Sequence, residues 1–185
     1  MSKFIVIDTE TTWGNRVMSI GAVISDSDNM QPLDCKYYIL NPEYKTGGMY
    51  AEFLFHRRAV KPIVCTRSEA MSDLKKCCSQ NDIHEIFAYN ALFDKNNLSE
   101  ISYMKWHDIM GMAAYVQYNP AIPKGAKLCS TGRLKSGYGV EPMLRLLSGN
   151  NMYFETHNAV LDAIDELKIM MLLVHPIEKY RNILW

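Results

Sequence analysis

The sequence lacks the features that would assign it at once to a membrane or secreted class. No apolar run approaches the length of a membrane-spanning helix, and the apolar stretch at residues 4–7 is too short for a signal-peptide core. The five cysteines form no CxxC pair and show no zinc-type spacing with histidine. We therefore expect a soluble, cytoplasmic protein with reduced thiols that does not associate with a membrane.

The sequence also has no excess of either charge. Twenty lysine and arginine residues balance twenty aspartate and glutamate residues, so the formal net charge is zero. Proteins that grip long duplex DNA usually carry a basic excess because they displace condensed counterions. Any contact with nucleic acid is therefore expected to be local and small.

Acidic residues are absent from one long segment, residues 109–140. Within it, residues 119–139 are rich in glycine, proline and serine and carry four basic side chains, Lys124, Lys127, Arg133 and Lys135. These side chains could hold phosphate groups, or the segment could be a solvated loop or hairpin.

The pattern of apolar residues predicts one domain, residues 1–185, with a mixed α/β sheet. Short apolar runs predict five strands, at residues 4–7, 17–25, 35–40, 85–89 and 105–109, of which the first three should form an antiparallel meander. Helices are predicted at residues 68–78 with Thr66 or Ser68 as cap, at 92–102, at 110–116 and at 159–174. The last helix should turn Val160, Ile164, Leu167, Met171 and Val174 to the core. Residues 42–65 are expected to be irregular.

Three acidic patterns stand at the ends of these elements. Asp8 and Glu10 end the first strand and should project from one face, because side chains alternate along a strand. Asp94 falls in the first turn of a predicted helix, where the helix dipole favours a carboxylate. Each pattern taken alone could be a solvated strand end or ordinary helix-end electrostatics.

The third pattern joins His157 and Asp162. The two side chains can converge only if His157 lies just before the helix, with Asn158 as N-cap and Asp162 in the second turn. Taken alone, this could be a capped helix with a surface histidine. Taken together, the carboxylates favour Mg²⁺ or Mn²⁺, two per site, as used in phosphoryl displacement.

These segments resemble the motifs of a known nuclease family. Residues 8–12 (DTETT), 88–94 (AYNALFD) and 157–163 (HNAVLDA) are similar, in the same order, to the three motifs of the DEDDh exonucleases, which include proofreading exonucleases, RNase T and oligoribonuclease. Residues 16–23 also resemble the second strand of that family. The related tyrosine-type branch would have tyrosine where this sequence has Asn158.

The resemblance implies a ribonuclease H-like fold and a metal-dependent 3′→5′ exonuclease that releases nucleoside 5′-monophosphates from single-stranded DNA or RNA 3′ ends. It implies that metal ions are held by Asp8, Glu10, Asp94 and Asp162, and that His157 is the general base. The predicted substrate contacts are Thr11, Thr12, Trp13, Asn90 and Phe93. Trp13 could instead pack in the core or in a loop, and Phe93 could belong to the core.

Two other functional classes compete with this interpretation. One is a catalytically silent, exonuclease-like module that binds nucleic acid or a polymerase, although all five expected catalytic positions are filled. The other is a structural α/β domain, which would make three ordered acidic motifs a coincidence. The residues do not distinguish RNA from DNA, and relatives of this size often form homodimers.

Overall fold

The structure, a computed structural model, describes residues 2–56 and 60–183. Within these residues the chain forms one six-stranded mixed sheet, in the order β4-β3-β2-β1-β5-β6. The strands are β1 (Lys3–Thr11), β2 (Val17–Asp26), β3 (Pro32–Leu40), β4 (Ile63–Cys65), β5 (Glu85–Ala88) and β6 (Lys105–Asp108). The predicted mixed α/β class is confirmed.

The first three strands form the antiparallel meander that the sequence predicts. β1 pairs with β2, and β2 pairs with β3, both antiparallel. On its other side β1 pairs in parallel with β5, which pairs in parallel with β6. β1 therefore lies inside the sheet, and its residues 4–7 are fully buried because both faces are covered.

The prediction of five strands was wrong by one. β4 pairs in parallel with β3 at the edge of the sheet. It has three residues, and two of them, Ile63 and Val64, are about half exposed, so no periodicity marks it in the sequence. The described part of residues 42–62 is irregular as predicted, with short 3₁₀ turns at Glu43–Thr46 and Ala51–Phe53. Residues 57–59 of that segment lie outside the described part of the chain.

The helices are α1 (Arg67–Gln80), α2 (Ala91–Asn97), α3 (Met110–Ala113), α4 (Val140–Ser148), α5 (Ala159–Leu173) and α6 (Ile177–Arg181). Thr66 caps α1 in a capping box with Glu69, which decides between the two predicted caps. α2 ends earlier than predicted because Leu98 leaves the helical conformation. α3 is also shorter than predicted.

The sequence analysis missed α4 and α6. α4 has Pro142 as its third residue, where a proline is tolerated because the first-turn N–H groups have no partner within the helix. Its nine residues lie between Gly139 and Gly149, and a short segment between two glycines is typical of a loop. α6 has five residues, too few for a helical pattern. Among the described residues no helix is long and apolar enough to cross a membrane.

More residues of α5 are buried than the apolar stripe predicted from the sequence contains. Val160 and Leu167 are buried as predicted, but Val174 is 84% exposed because the helix ends at Leu173 and Val174 turns into the left-handed conformation. α5 packs across β1 and β2 and also against α4. Two acidic residues, Asp162 and Glu166, are therefore buried with its apolar ones.

Gly21 lets α5 lie directly on the sheet. A Cβ at Gly21 would fall 2.1 Å from the carbonyl carbon and oxygen of Ala159 and 2.2 Å from the nitrogen of Val160. Gly21 is paired with Asp8 across the β1–β2 ladder. Because Gly21 has no side chain, the start of α5 can lie against β2 at the position that is paired with Asp8 of β1.

We predict that Gly21→Ala lowers the free energy of unfolding by about 3 kcal/mol, because the added methyl group meets backbone atoms that cannot yield without moving the helix. Urea unfolding followed by circular dichroism measures the change. Gly125→Ala is the matched control, since a Cβ there meets nothing within 4 Å. Equal stability of the two variants would contradict the close packing of α5 on β2.

Candidate active site

β1 carries the first two acidic side chains towards its C-terminal end. Asp8 is paired with Gly21 of β2, and Glu10 is paired with Ser19. Both side chains project from the face of the sheet on which α5 begins, because positions two apart on a strand share a face. The register shifts after Glu10, so the regular strand ends where the acids do.

Asp94 reaches β1 from the helix that follows β5. Asn90 takes the left-handed conformation with φ of 60°, and its N–H donates to Asp108 Oδ1 at 2.9 Å, which fixes the turn before α2. Asp94 then lies in the first turn of α2, as predicted, and is 2% exposed. Thr9 Oγ1 donates to Asp94 Oδ1 at 2.7 Å, so a hydrogen bond joins α2 directly to the strand of Asp8 and Glu10.

His157 and Asp162 approach Glu10 from the start of α5. His157 lies just before the helix with φ of 53°, and Asn158 is the N-cap residue, as predicted. Asp162 lies in the first turn, not in the second as predicted. Ligand atoms of Glu10, His157 and Asp162 all lie within 4.8 Å of one another.

The side chain of Asn158 does not cap the helix. Its Nδ2 donates to the Phe53 carbonyl at 2.9 Å and to the Tyr37 hydroxyl at 3.1 Å. Asn158 therefore binds the start of α5 to β3 and to the segment after it. This segment is the one for which the sequence offered no pattern.

Tyr50, from the same segment, stacks on His157. The ring centroids are 3.8 Å apart and the ring planes differ by 9°, so one face of the imidazole is covered. Burial lowers the pKa of His157, which favours the neutral ring. Sequence reasoning missed Tyr50, because no local spacing relates it to the histidine.

Two further carboxylates that the sequence analysis did not select border the site. Glu166, one helical turn after Asp162, is 1% exposed. Glu155 is half-buried, and burial, followed by the charges of Glu141 and Asp165, raises its pKa to about 7. The four-residue spacing from Asp162 to Glu166 was visible in the sequence.

All four predicted acids have raised pKa values. Burial is the largest cause that raises each pKa, to about 8 for Glu10, about 7 for Asp94 and about 9 for Asp162. The pKa of Asp8 is raised well above its usual value by burial and then by the charges of Glu166, Asp94, Asp162 and Glu10. These residues, far apart in the sequence, are therefore neighbours in the fold.

The donor set fits divalent cations. Asp8 Oδ2 and Asp162 Oδ1 are buried without a hydrogen-bond partner. Over residues 2–56 and 60–183, no lysine or arginine forms an ion pair with any of the four acids. Carboxylate oxygens with no positive side chain between them suit a cation that prefers oxygen ligands, such as Mg²⁺ or Mn²⁺.

The five predicted substrate contacts differ in exposure. Trp13 is 71% exposed and Phe93 is 44% exposed, so packing in the core does not account for either ring. Asn90 is exposed and Thr11 half-buried, whereas Thr12 is buried and its Oγ1 accepts a hydrogen bond from the Arg16 N–H. Contact with a substrate stays a prediction for all five residues.

The basic segment is an irregular loop with two isolated bridges, Tyr115 to Arg133 and Leu128 to Leu134. Arg133 lies over the Tyr138 ring, 4.9 Å from its centroid. The Tyr138 carbonyl accepts a hydrogen bond from the hydroxyl of Tyr89, which precedes α2. A hydrogen bond therefore joins this loop to the residues just before α2, the helix that carries Asp94. Contact between the loop and phosphate stays a prediction.

No protein-family model and no curated protein matches the chain in sequence. Solved structures of 3′-exonucleases match its fold. E. coli exonuclease I in complex with a dT13 oligonucleotide has a TM-score of 0.62 and 15% identity, over 98% of this chain and 42% of its own. The nuclease domain of 3′hExo, a DEDDh family member bound to rAMP, has a TM-score of 0.61 and 15% identity, over 92% of this chain and 90% of its own.

A third structure, a 3′-exonuclease that recognises the histone mRNA stem-loop, has a TM-score of 0.63 and 15% identity, over 95% of this chain and 65% of its own. The chain spans about two fifths of the length of the exonuclease I structures, 40% and 42% in two of them. At these identities the likeness concerns the fold. The predicted ribonuclease H-like fold, shared with DEDDh nucleases, is confirmed.

We predict that Mn²⁺ raises the melting temperature of the metal-free protein by several degrees, because a ligand that binds only the folded state stabilises it. Thermal unfolding with EDTA and then with excess Mn²⁺ measures the difference. Asp162→Asn should reduce the rise, whereas Asp34→Asn, an exposed acid on β3, should leave it unchanged. An equal wild-type melting temperature in EDTA and in excess Mn²⁺ would contradict a cation site.

Proposed function

We propose that this chain is a 3′→5′ exonuclease of the DEDDh type, which hydrolyses phosphodiester bonds at single-stranded nucleic-acid 3′ ends. The observation that carries the proposal is the convergence of Glu10, His157 and Asp162 within 4.8 Å. The half-buried Asp8 and the buried Asp94 belong to the same group of acids. The fold likeness to solved 3′-exonucleases supports the same reaction class. The products would be nucleoside 5′-monophosphates.

Asp8, Glu10, Asp94 and Asp162 would hold two Mg²⁺ or Mn²⁺ ions. Bound at these carboxylates, the ions would acidify water and offset the charge that develops on the leaving 3′-oxygen. No lysine or arginine neutralises these four acids through an ion pair in the described part of the chain. Their negative charge would repel a phosphate group and attract a cation, which supports their role as cation ligands.

His157 would accept the proton of the attacking water at a ring nitrogen. Its lowered pKa supports this role, since a base must be unprotonated at the working pH. Tyr50 covers one face of the ring, which restricts the directions in which that nitrogen can point. Trp13 and Phe93, both exposed beside the acids in sequence, would contact the terminal nucleotide by stacking.

The direct test is digestion of 5′-labelled single-stranded RNA and DNA oligomers of matched sequence, with Mg²⁺, with Mn²⁺ and with EDTA. We expect shortening from the 3′ end, release of mononucleotides, and no reaction in EDTA. The preferred oligomer would identify the sugar that the site accepts. A protein that binds the oligomers without shortening either one would instead be the catalytically silent module.

We predict that Asp8→Asn and Asp94→Asn lose nearly all hydrolysis while their circular dichroism spectra stay unchanged, because each removes a cation ligand and keeps the side-chain shape. The rate of mononucleotide release measures the loss. Asp34→Asn, the exposed control, should retain the wild-type rate. A folded Asp94→Asn variant with full activity would refute this assignment of the site.

We predict that Tyr50→Leu lowers kcat about tenfold with little change in KM, a size typical of residues that orient a reacting side chain. Tyr50→Phe keeps the stacked ring and should restore the rate. In a His157→Ala background, which should itself cost about 10²–10⁴-fold, Tyr50→Leu should have no further effect. Equal losses in both backgrounds would mean that Tyr50 acts independently of His157.

A further inference from the structure

Glu166 is the least exposed acidic residue in the described part of the chain, and it has no role in the site described so far. It is 1% exposed and follows Asp162 by four residues, so both side chains leave α5 on the same side. That helix packs across β1, the strand of Asp8. The charge of Glu166 is the strongest of the side-chain charges that disfavour ionisation of Asp8.

One oxygen of the Glu166 carboxyl group has no partner in the described part of the protein. Its Oε2 is buried and has no hydrogen-bond partner among the described residues. Glu85, another largely buried glutamate, shows how this fold satisfies such a group when its role is structural. Glu85 accepts hydrogen bonds from Arg181 at 2.6–3.0 Å and contacts His107 at 3.1 Å.

The charges that act on Glu166 are all negative. Asp94, Asp162 and Glu155 each disfavour its ionised form, after burial itself, and only the backbone N–H of Tyr89 opposes them. An ionised carboxylate buried among these negative charges is costly unless a positive charge lies beside it. A cation would satisfy the oxygen and offset all of these charges at once.

We propose that Glu166 is a fifth carboxylate ligand of the divalent-cation site, in which its unpaired Oε2 joins the carboxylates of Asp8 and Asp94. The inference rests on the proposed function, because it assumes that Asp8 and Asp94 hold cations. It assigns Glu166 to the ion on the Asp94 side, while Glu10 and Asp162, which lie together with His157, hold the other ion. The ligand class is a cation that takes oxygen donors, Mg²⁺ or Mn²⁺.

The experiment is titration of the metal-free full chain with Mn²⁺ in a calorimeter, for wild type and Glu166→Gln. Glutamine keeps the shape of the side chain and removes its charge. Asp165→Asn is the matched control. It removes one negative charge from the neighbouring position on α5, but the Asp165 carboxylate already accepts a hydrogen bond from the Tyr153 hydroxyl and so lacks the unpaired oxygen of Glu166. Circular dichroism and the melting temperature in EDTA establish that each variant is folded, and Glu166→Ala replaces Glu166→Gln if the latter is not.

We expect wild type and Asp165→Asn to bind two Mn²⁺ ions per chain, and Glu166→Gln to bind one of them at least about tenfold more weakly. Two ions bound by Glu166→Gln with wild-type affinities would overturn the proposal for Glu166 and leave the exonuclease assignment intact. A wild-type chain that binds no Mn²⁺ would overturn the proposed function itself. The two failures are therefore distinguishable.

Discussion

Repulsion among buried carboxylates is the constraint on which the arrangement of this molecule depends. Asp8, Asp94 and Asp162 are held close together, largely out of water, although like charges in such a place disfavour one another's ionisation. The surrounding fold must supply the free energy that holds them there. It does so with the central position of β1, the hydrogen bond from Thr9 to Asp94, and the packing of α5 on Gly21.

The four predicted acids come from three different elements, β1, α2 and α5. A single strand or helix would carry its charged side chains along one face into water, whereas here each element contributes one or two acids at its end. Asn90, immediately before α2, and His157, two residues before α5, both take the left-handed conformation, which is sparsely populated for residues other than glycine. Left-handed turns before α2 and α5 bring the first turns of both helices to the end of β1, and such backbone strain is common at functional sites.

α5 serves the core and the site at once. Its apolar residues, among them Val160 and Leu167, pack against the sheet, and the same helix buries Asp162 and Glu166. A helix with this double task cannot shift without moving the acids relative to Asp8. Asn158 adds a second restraint, since its side chain binds β3 and the segment that carries Tyr50. The geometry of the histidine therefore depends on packing that involves three separate parts of the chain.

Local patterns in the chain were enough to place the strand that carries Asp8 and Glu10, the meander behind it, and the helix starts at Asp94 and Asp162. Apolar periodicity and helix-capping residues are patterns of a few consecutive residues, so they can be read directly from the sequence. The short strand β4, the helix α4, the stack of Tyr50 on His157 and the burial of Glu166 were beyond that reach. The helix α4 was missed because proline and glycine in and around it are typical of a loop. The other three features exist because residues distant in the chain meet, and such contacts form only when the sheet and α5 have packed together.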